Sequence, residues 1–566
     1  FFDDFSGRYI LPDARRWSDR NVFINNTYSD KQITKGMATF DAIDNKGALY
    51  ETSASTGFKA DQLTSNPINM AYPASDNIWF SFLYEAGGLS DAPERNDSLT
   101  LEFYAPSENK WYSVWRKTGS ETTGFRNVIL PVTQSRYLRK GFRFRFVNYA
   151  STAQNSSDPS MIGNCDIWNL DYVLLDRNRN AGDTTFRDVA FTIPVRSVLK
   201  NHEAMPWKQF RQVYLQEMGS AIKVRYRNND TITRNVTRDF LITDMYTGQE
   251  AHSFSSGATN ISPVTNADYN AGLVYTFNSN NPDSALFRIR CTLKTDEFDR
   301  KQNDTAYYYQ VFSNYFAFDD GSAEGGYGIN GLGSRNAMVA TRFTSYIPDT
   351  LRAIDISFND SYLDANRRAF DLMVWDDING MPGNVIARRE EVIVQQGSVI
   401  NGFFRYYIPG GVAVDGDFYV GWKQRSETFF NAGYDVNTPN KGKLKYWLNG
   451  TWSNSQVTGS LMIRPVTGDL IATGINETKG DEIITKPDNR VSLWPNPSSD
   501  VIHLKISDRP YTSDAWVSVI DLSGTEQLRV PLNDQIDISA LKDGLYILIT
   551  TVNGKKIGIN RLVKTK

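Results

Sequence analysis

In "FRFRFVNY" (142–149), Phe142, Phe144 and Phe146 fall on one side of an extended backbone, and Arg143 and Arg145 fall on the other. A helix would scatter the three rings around its axis, whereas a strand turns all of them toward one core. The same period of two recurs in "SLTLEFYA" (98–105) and "IWFSFLYE" (78–85), with turn-forming clusters such as "SENK" and "DAPERND" between. Strands at this spacing, without a long helical pattern, predict an all-β fold of sandwich or jelly-roll type. An aromatic content of 13%, with 40 glycines, fits strands joined by turns.

The 566 residues are enough for several cores, since domains commonly run roughly 100–200 residues. Residues 1–188 read as a jelly-roll-like sandwich whose last strand, "DIWNLDYVLLD" (166–176), returns beside the first, "FFDDFSG". Residues 189–312 carry strands such as "AIKVRYRNND" and "ALFRIRCTL" and suit an immunoglobulin-like sandwich, with a short helix in "PWKQFRQVYLQEMG". Residues 313–467 open on "FAFDDGS", which repeats the aromatic strand and paired aspartates of "FFDDFSG", and read as a second jelly roll. A polar linker is expected over 468–489, and a small β-sandwich over 490–566.

The net charge of −3 offers no basic field for nucleic acid. No apolar run reaches the roughly 18–20 residues that cross a bilayer. The start at Phe1-Phe2 is consistent with a processed or trimmed N-terminus. Cys165 and Cys291 fall in different predicted domains and are read as two buried free thiols.

Near the C-terminus, "LWPNPSSDVIHLKI" (493–506) starts a new strand after two prolines, residues that belong at a strand's beginning or edge. Pro495, Asn496 and Pro497 come first, then Asp521-Leu522-Ser523-Gly524. Leu541-Lys542-Asp543-Gly544-Leu545-Tyr546 follows, and a basic finish from Arg561 to Lys566 includes Lys564. In this order the motifs resemble the type A C-terminal sorting domain of Bacteroidota proteins exported by the type IX secretion system. Trp494 stands where that family usually has Tyr or another residue.

The resemblance implies export across the outer membrane to the cell surface or the medium. The partners it implies are the translocon, a shuttle protein and a surface sortase that removes the sorting domain. Upstream, "WSDRNVFINNTY", "GMATFDAIDNKGALYE" and "ADQLTS" resemble, less specifically, β-rich surface proteins of the same bacteria, and no activity comes with that likeness. These bacteria glycosylate Asp-Ser or Asp-Thr followed by Ala, Ile, Leu, Val, Met or Thr. The resemblance therefore implies O-glycan acceptors at Ser98, Thr184, Thr231, Ser284, Thr305 and Thr350.

Signs of catalysis are thin. His202, His252 and His503 are the three histidines, and HExxH, GxSxG and Walker motifs are absent. "GYGING" (326–331) fits GxGxxG but lacks a strand–turn–helix setting and reads as a glycine-rich loop. The pairs Asp3/Asp4, Asp319/Asp320 and Asp376/Asp377 read mostly as surface turns, and "WDDINGMPG" (375–383) as a hairpin. If the first and last strands of the first jelly roll pair, Asp4 and Asp171 meet. They would then either hold a structural Ca²⁺, as in similar carbohydrate-binding or MAM-like modules, or bond to neighbouring backbone. Trp111, Trp115, Trp422, Trp447 and Trp452 lie in or beside turns and are candidates to stack on sugars, with core packing as the alternative.

The leading expectation is a non-enzymatic, secreted or cell-surface modular β-protein, either an adhesin or a protein that binds a glycan or another protein. The rival is a polysaccharide hydrolase using a carboxylate pair in a jelly roll.

Overall fold

The computed structural model describes residues 1–468 apart from 8, 9, 46, 53–56, 152–159, 164, 165, 280–282, 296–298 and 396–399. It also describes residues 491–565 apart from 497, 507–514, 522–525, 553 and 554. The fold is all-β, and the chain forms two compact units, Phe1–Gly468 and Asp469–Lys566. The expected linker lies, beyond Gly468, outside the described residues, as does Cys165.

Strand Lys140–Ala150 shows how the alternation is used. Its Phe142, Phe144 and Phe146 are fully buried, while Arg143 and Arg145 on the opposite face are partly exposed. It sits inside an antiparallel sheet ordered Phe58–Thr64, Lys140–Ala150, Ser98–Ala105, Lys110–Thr118. A second antiparallel sheet runs Phe23–Asn25, Met37–Phe40, Trp168–Asp176, Trp79–Ala86, Arg126–Pro131. The first strand, Phe2–Asp3, pairs with Trp168–Asp176 through Phe2↔Leu174 and Asp3↔Val173, so first and last strands do meet. Rings from the two sheets interlock edge to face, Phe80 on Phe144 at 4.6 Å and Phe82 on Phe146 at 4.9 Å. This makes the first layer pair a sandwich.

Further along, strands Val189–Phe191, Ala221–Asn228 and Thr265–Gly272 form a small sheet. Facing it are Ala204–Pro206, Thr305–Ser313, Ala285–Lys294, Arg234–Asp244 and Glu250–Ile261. The helix Trp207–Glu217 follows Pro206, and its Trp207 and Phe210 are buried against Phe312. Cys291 is a free, buried thiol in this core, and burial pushes its pKa up.

The remaining strands of this unit form a seven-stranded sheet, built around Met338–Ile356 and Phe404–Gln424, and a four-stranded one. "WDDINGMPG" is a hairpin turned at Asn379 and Gly380, both at positive φ. "GYGING" supplies strand Gly325–Ile329, and its glycines are required by closeness. A Cβ on Gly326 would lie 2.1 Å from Asn431 Oδ1, and one on Gly328 would lie 2.2 Å from the Phe430 carbonyl.

The segments of this unit are stitched together. Met161–Gly163 pairs with Gly325–Ile329, and one apolar core runs from Val189 to Ile463. Tyr28 donates its hydroxyl to the Ala323 carbonyl at 2.6 Å, and Lys35 Nζ donates to the Thr305 carbonyl at 2.7 Å.

The second unit has sheets of three and four strands. Val491–Trp494, Val501–Ile506 and Gln535–Asp537 make one, and Glu526–Pro531, Ala515–Asp521, Gly544–Val552 and Lys555–Lys564 make the other. Ile502, Leu504, Val517, Val519, Ile536 and Leu548 are in its core.

Several carboxyls are buried in the first unit. Asp61 Oδ2 accepts the backbone N–H groups of Asp41 and Ala42, each at 2.8 Å. Burial raises the Asp41 pKa to about 7, and burial together with the Asp41 charge raises that of Asp61. Between the unfolded value near 4 and about 7, the folded chain keeps a proton that the unfolded chain has released. This contribution to stability is fully present below about pH 4 and is lost as pH rises through about 7. Thermal melts from pH 5 to 8 should show a falling midpoint, and Asp41→Asn should flatten the fall by on the order of a few kcal/mol. An unchanged slope in that variant would reject the assignment.

Candidate functional site

The C-terminal motifs, scattered in sequence, converge at one end of their unit. Asn496 Oδ1 accepts the Val563 N–H at 2.7 Å, and Ser498 exchanges backbone bonds with Val563 and Thr565 at 2.9 Å each. Gly544 lies opposite Lys564, and Tyr546 opposite both Asp521 and Leu562. The Tyr546 hydroxyl donates to the Lys542 carbonyl at 2.8 Å, and Lys564 is buried with its Nζ on the Thr565 carbonyl at 3.2 Å. Pro495 follows strand Val491–Trp494, and Trp494, 47% exposed, stacks on His503. Pro497, Gly524 and Lys566 lie outside the described residues.

In the first unit, Asp4 and Asp171 are close enough to interact. Burial pushes the Asp171 pKa well above the carboxylate range, with the Asp4 charge adding to it. Each has partners: Asp171 accepts from Thr34 Oγ1 at 2.6 Å, and Asp4 from Ser6 Oγ at 2.6 Å and Asn303 Nδ2 at 3.2 Å. Asp3, Asp4 and Asp319 are buried rather than on surface turns. Asp3 accepts from the Trp17 indole at 2.6 Å, and Asp319 forms an ion pair with Arg464.

A second acidic group lies elsewhere in the first unit. Glu94, Asp97 and Asp166 each place one carboxylate oxygen within 4.8 Å of the others. Burial and Glu94 push the Asp166 pKa up to about 10, and burial raises those of Asp97 and the nearby Asp91 to about 6. The sequence signal was the Asp91-x-x-Glu94-x-x-Asp97 spacing within "DAPERND". By itself that stretch reads as a turn, and only the fold brings Asp166 beside it.

The tryptophans divide. Trp422 is fully buried, Trp115 packs on Phe82 and Tyr84, and Trp452 packs edge-on against Trp375 at 5.4 Å while facing Trp447 across a strand pair. Trp111 is partly exposed on the outer face of the first sandwich. Its ring is 5.1 Å from that of Tyr104, and the Arg145 guanidinium lies 4.3 Å above it. Glu102 Oε2 accepts from Arg145 Nε at 2.6 Å, and Arg143 lies opposite Tyr104 in the same sheet.

The expected glycan acceptors also divide. Thr184 and Thr231 are exposed, whereas Ser284, Thr305 and Thr350 are partly buried. Ser98 is fully buried between the strands carrying Thr118 and Tyr149, which leaves no room for a glycan there in the folded chain.

Residues 492–565 match the family described as a secretion system C-terminal sorting domain. The chain is thus a type IX secretion cargo, exported across the outer membrane to the cell surface or extracellular space. No curated protein matches it. Among solved structures it is similar to a calcium-binding mutant of Bacteroides uniformis β-glucuronidase 2, with 11% identity, 50% of this chain and 29% of that one covered, and a TM-score of 0.21. It is also similar to the β-glucuronidase of Parabacteroides merdae, with 15% identity, coverage of 50% and 30%, and a TM-score of 0.21. A third is the cysteine protease and lectin-like domains of Cwp84, a surface layer associated protein of Clostridium difficile, with 9% identity, coverage of 49% and 63%, and a TM-score of 0.22. The chain spans less than two thirds of each, and at such scores none bears on activity. Among the described residues no helix is long and apolar enough to cross a membrane.

Leu548 is fully buried in the small core of the sorting domain. Leu548→Ala should cost about 2–5 kcal/mol, a large share of such a unit's stability. Cell fractionation should then find the protein retained inside the cell, and normal export of the variant would contradict a folded signal.

Proposed function

We propose that Phe1–Gly468 is a non-enzymatic adhesin region, built of modules 1–188, 189–312 and 313–467, that binds glycan at the outer face of its first sandwich. The observation supporting this is the strip of Trp111, Tyr104, Arg145, Glu102 and Arg143. Ring faces carry partial negative charge and attract the weakly positive C–H edges of a sugar, while the flanking charged groups can bond its hydroxyls. The sheet holds these side chains on rigid strands, so little ordering entropy is lost on binding. The translocon, the shuttle protein and the surface sortase are its partners in transit.

The test is binding of the purified full chain to an array of bacterial and host polysaccharides. Trp111→Ala should weaken binding by about tenfold or more, a change of roughly 1.4 kcal/mol or above. Trp452→Ala, on the hairpin far along the chain, should leave it unchanged. No glycan bound by the parent protein, or equal binding by Trp111→Ala, would reject the reading.

Thr184 and Thr231, exposed beside turns, are the acceptors that best suit O-glycosylation. Peptide mass mapping of protein from its own cells should find added hexose-containing mass at these two and none at Ser98. Bare peptides at both threonines would refute this.

A further inference from the structure

Glu94 and Asp97 sit on the loop between strands Trp79–Ala86 and Ser98–Ala105, and Asp166 on the turn into strand Trp168–Asp176. Two loops from different sheets of the first sandwich thus bring three carboxylates to one point. The turn at Asp166 takes a left-handed backbone, φ +47°, a conformation that aspartate adopts more readily than most residues other than glycine. Asp97 is fully buried. Its Oδ1 accepts from Ser151 Oγ at 2.9 Å, but its Oδ2 is buried with no hydrogen-bond partner. Glu94 Oε2 is likewise buried without a partner. Ser151 also donates its backbone N–H to Asp166 Oδ2 at 2.5 Å, so one residue orients two of the three acids.

An unsatisfied carboxylate oxygen in the interior is costly, and gathering three acids multiplies that cost unless they take up protons or a cation sits among them. No lysine or arginine is among the principal groups acting on Asp97 or Asp166. Asp4 and Asp171 differ here, because hydroxyl, amide and backbone donors meet their oxygens.

We propose that Glu94, Asp97 and Asp166 bind a calcium ion that ties the loop before strand Ser98–Ala105 to the turn before strand Trp168–Asp176. The donor set is all oxygen and all carboxylate, without sulfur or imidazole, which suits a hard cation. Calcium takes six to eight oxygens at flexible geometry, so water or carbonyl oxygens would complete the shell. Extracellular modules commonly bind it at about 10⁻⁴–10⁻³ M, a range suited to an exported chain.

The test uses the full chain, stripped with a chelator and then titrated with calcium chloride. At a few millimolar calcium the melting midpoint should rise by roughly 2–4 °C. Terbium should bind with emission sensitised by nearby Trp168, and calcium should displace it. Asp97→Asn and Glu94→Gln should each abolish both responses, while Asp171→Asn should keep them. Glu94 is only partly buried, so Glu94→Gln provides the test should Asp97→Asn fail to fold. The proposal is overturned if calcium neither shifts melting nor displaces terbium. It is equally overturned if magnesium acts as strongly, or if Asp171→Asn loses the response while Glu94→Gln keeps it.

Discussion

A strand has two faces, and the first sandwich rests on giving one of them entirely to aromatic rings. Phe142, Phe144 and Phe146 fill the space between the sheets, where Phe80 and Phe82 meet them edge to face. A shift of one residue in register would drive Arg143 and Arg145 into that space, so the pairing of Lys140–Ala150 with both neighbours is tightly specified. Once that strand is placed, the opposite face is placed too. Trp111, Tyr104 and Arg145 are held on a fixed outer surface by the same packing that buries the phenylalanines.

Buried polar groups do a different job from the rings. Asn303 donates to Asp4 and Asp188 at once, at 3.2 and 3.0 Å, linking the chain's start to two later segments. Asn229 Nδ2 reaches the Ile33 carbonyl at 3.0 Å, and Tyr28 reaches Ala323. Such directional bonds stay favourable only in one arrangement, so they fix how the segments of the first unit sit together. Apolar contact alone would tolerate more slippage.

Much of this was legible in the order of residues. "SLTLEFYA" became strand Ser98–Ala105, and the last strand of the first sandwich pairs with the first as expected. The motifs from Pro495 to Lys564 identified the sorting domain because their order is informative even though each is short. What remained hidden depended on distant neighbours. Asp97 and Glu94 are ordinary turn residues until Asp166 arrives beside them. Ser98 satisfies a local triplet, but its burial is decided by strands carrying Thr118 and Tyr149. Met161–Gly163 is too short to show a period, and only its partner Gly325–Ile329 makes it a strand.

The bond from the Val563 N–H to Asn496 has a consequence for timing. The loop that opens the sorting domain is held by the strand that closes it, Lys555–Lys564. A ribosome that stalls, or a message cut short, before that strand yields a chain in which this bond cannot form. Only chains translated through Lys564 can complete the domain, so it closes after everything upstream has been made.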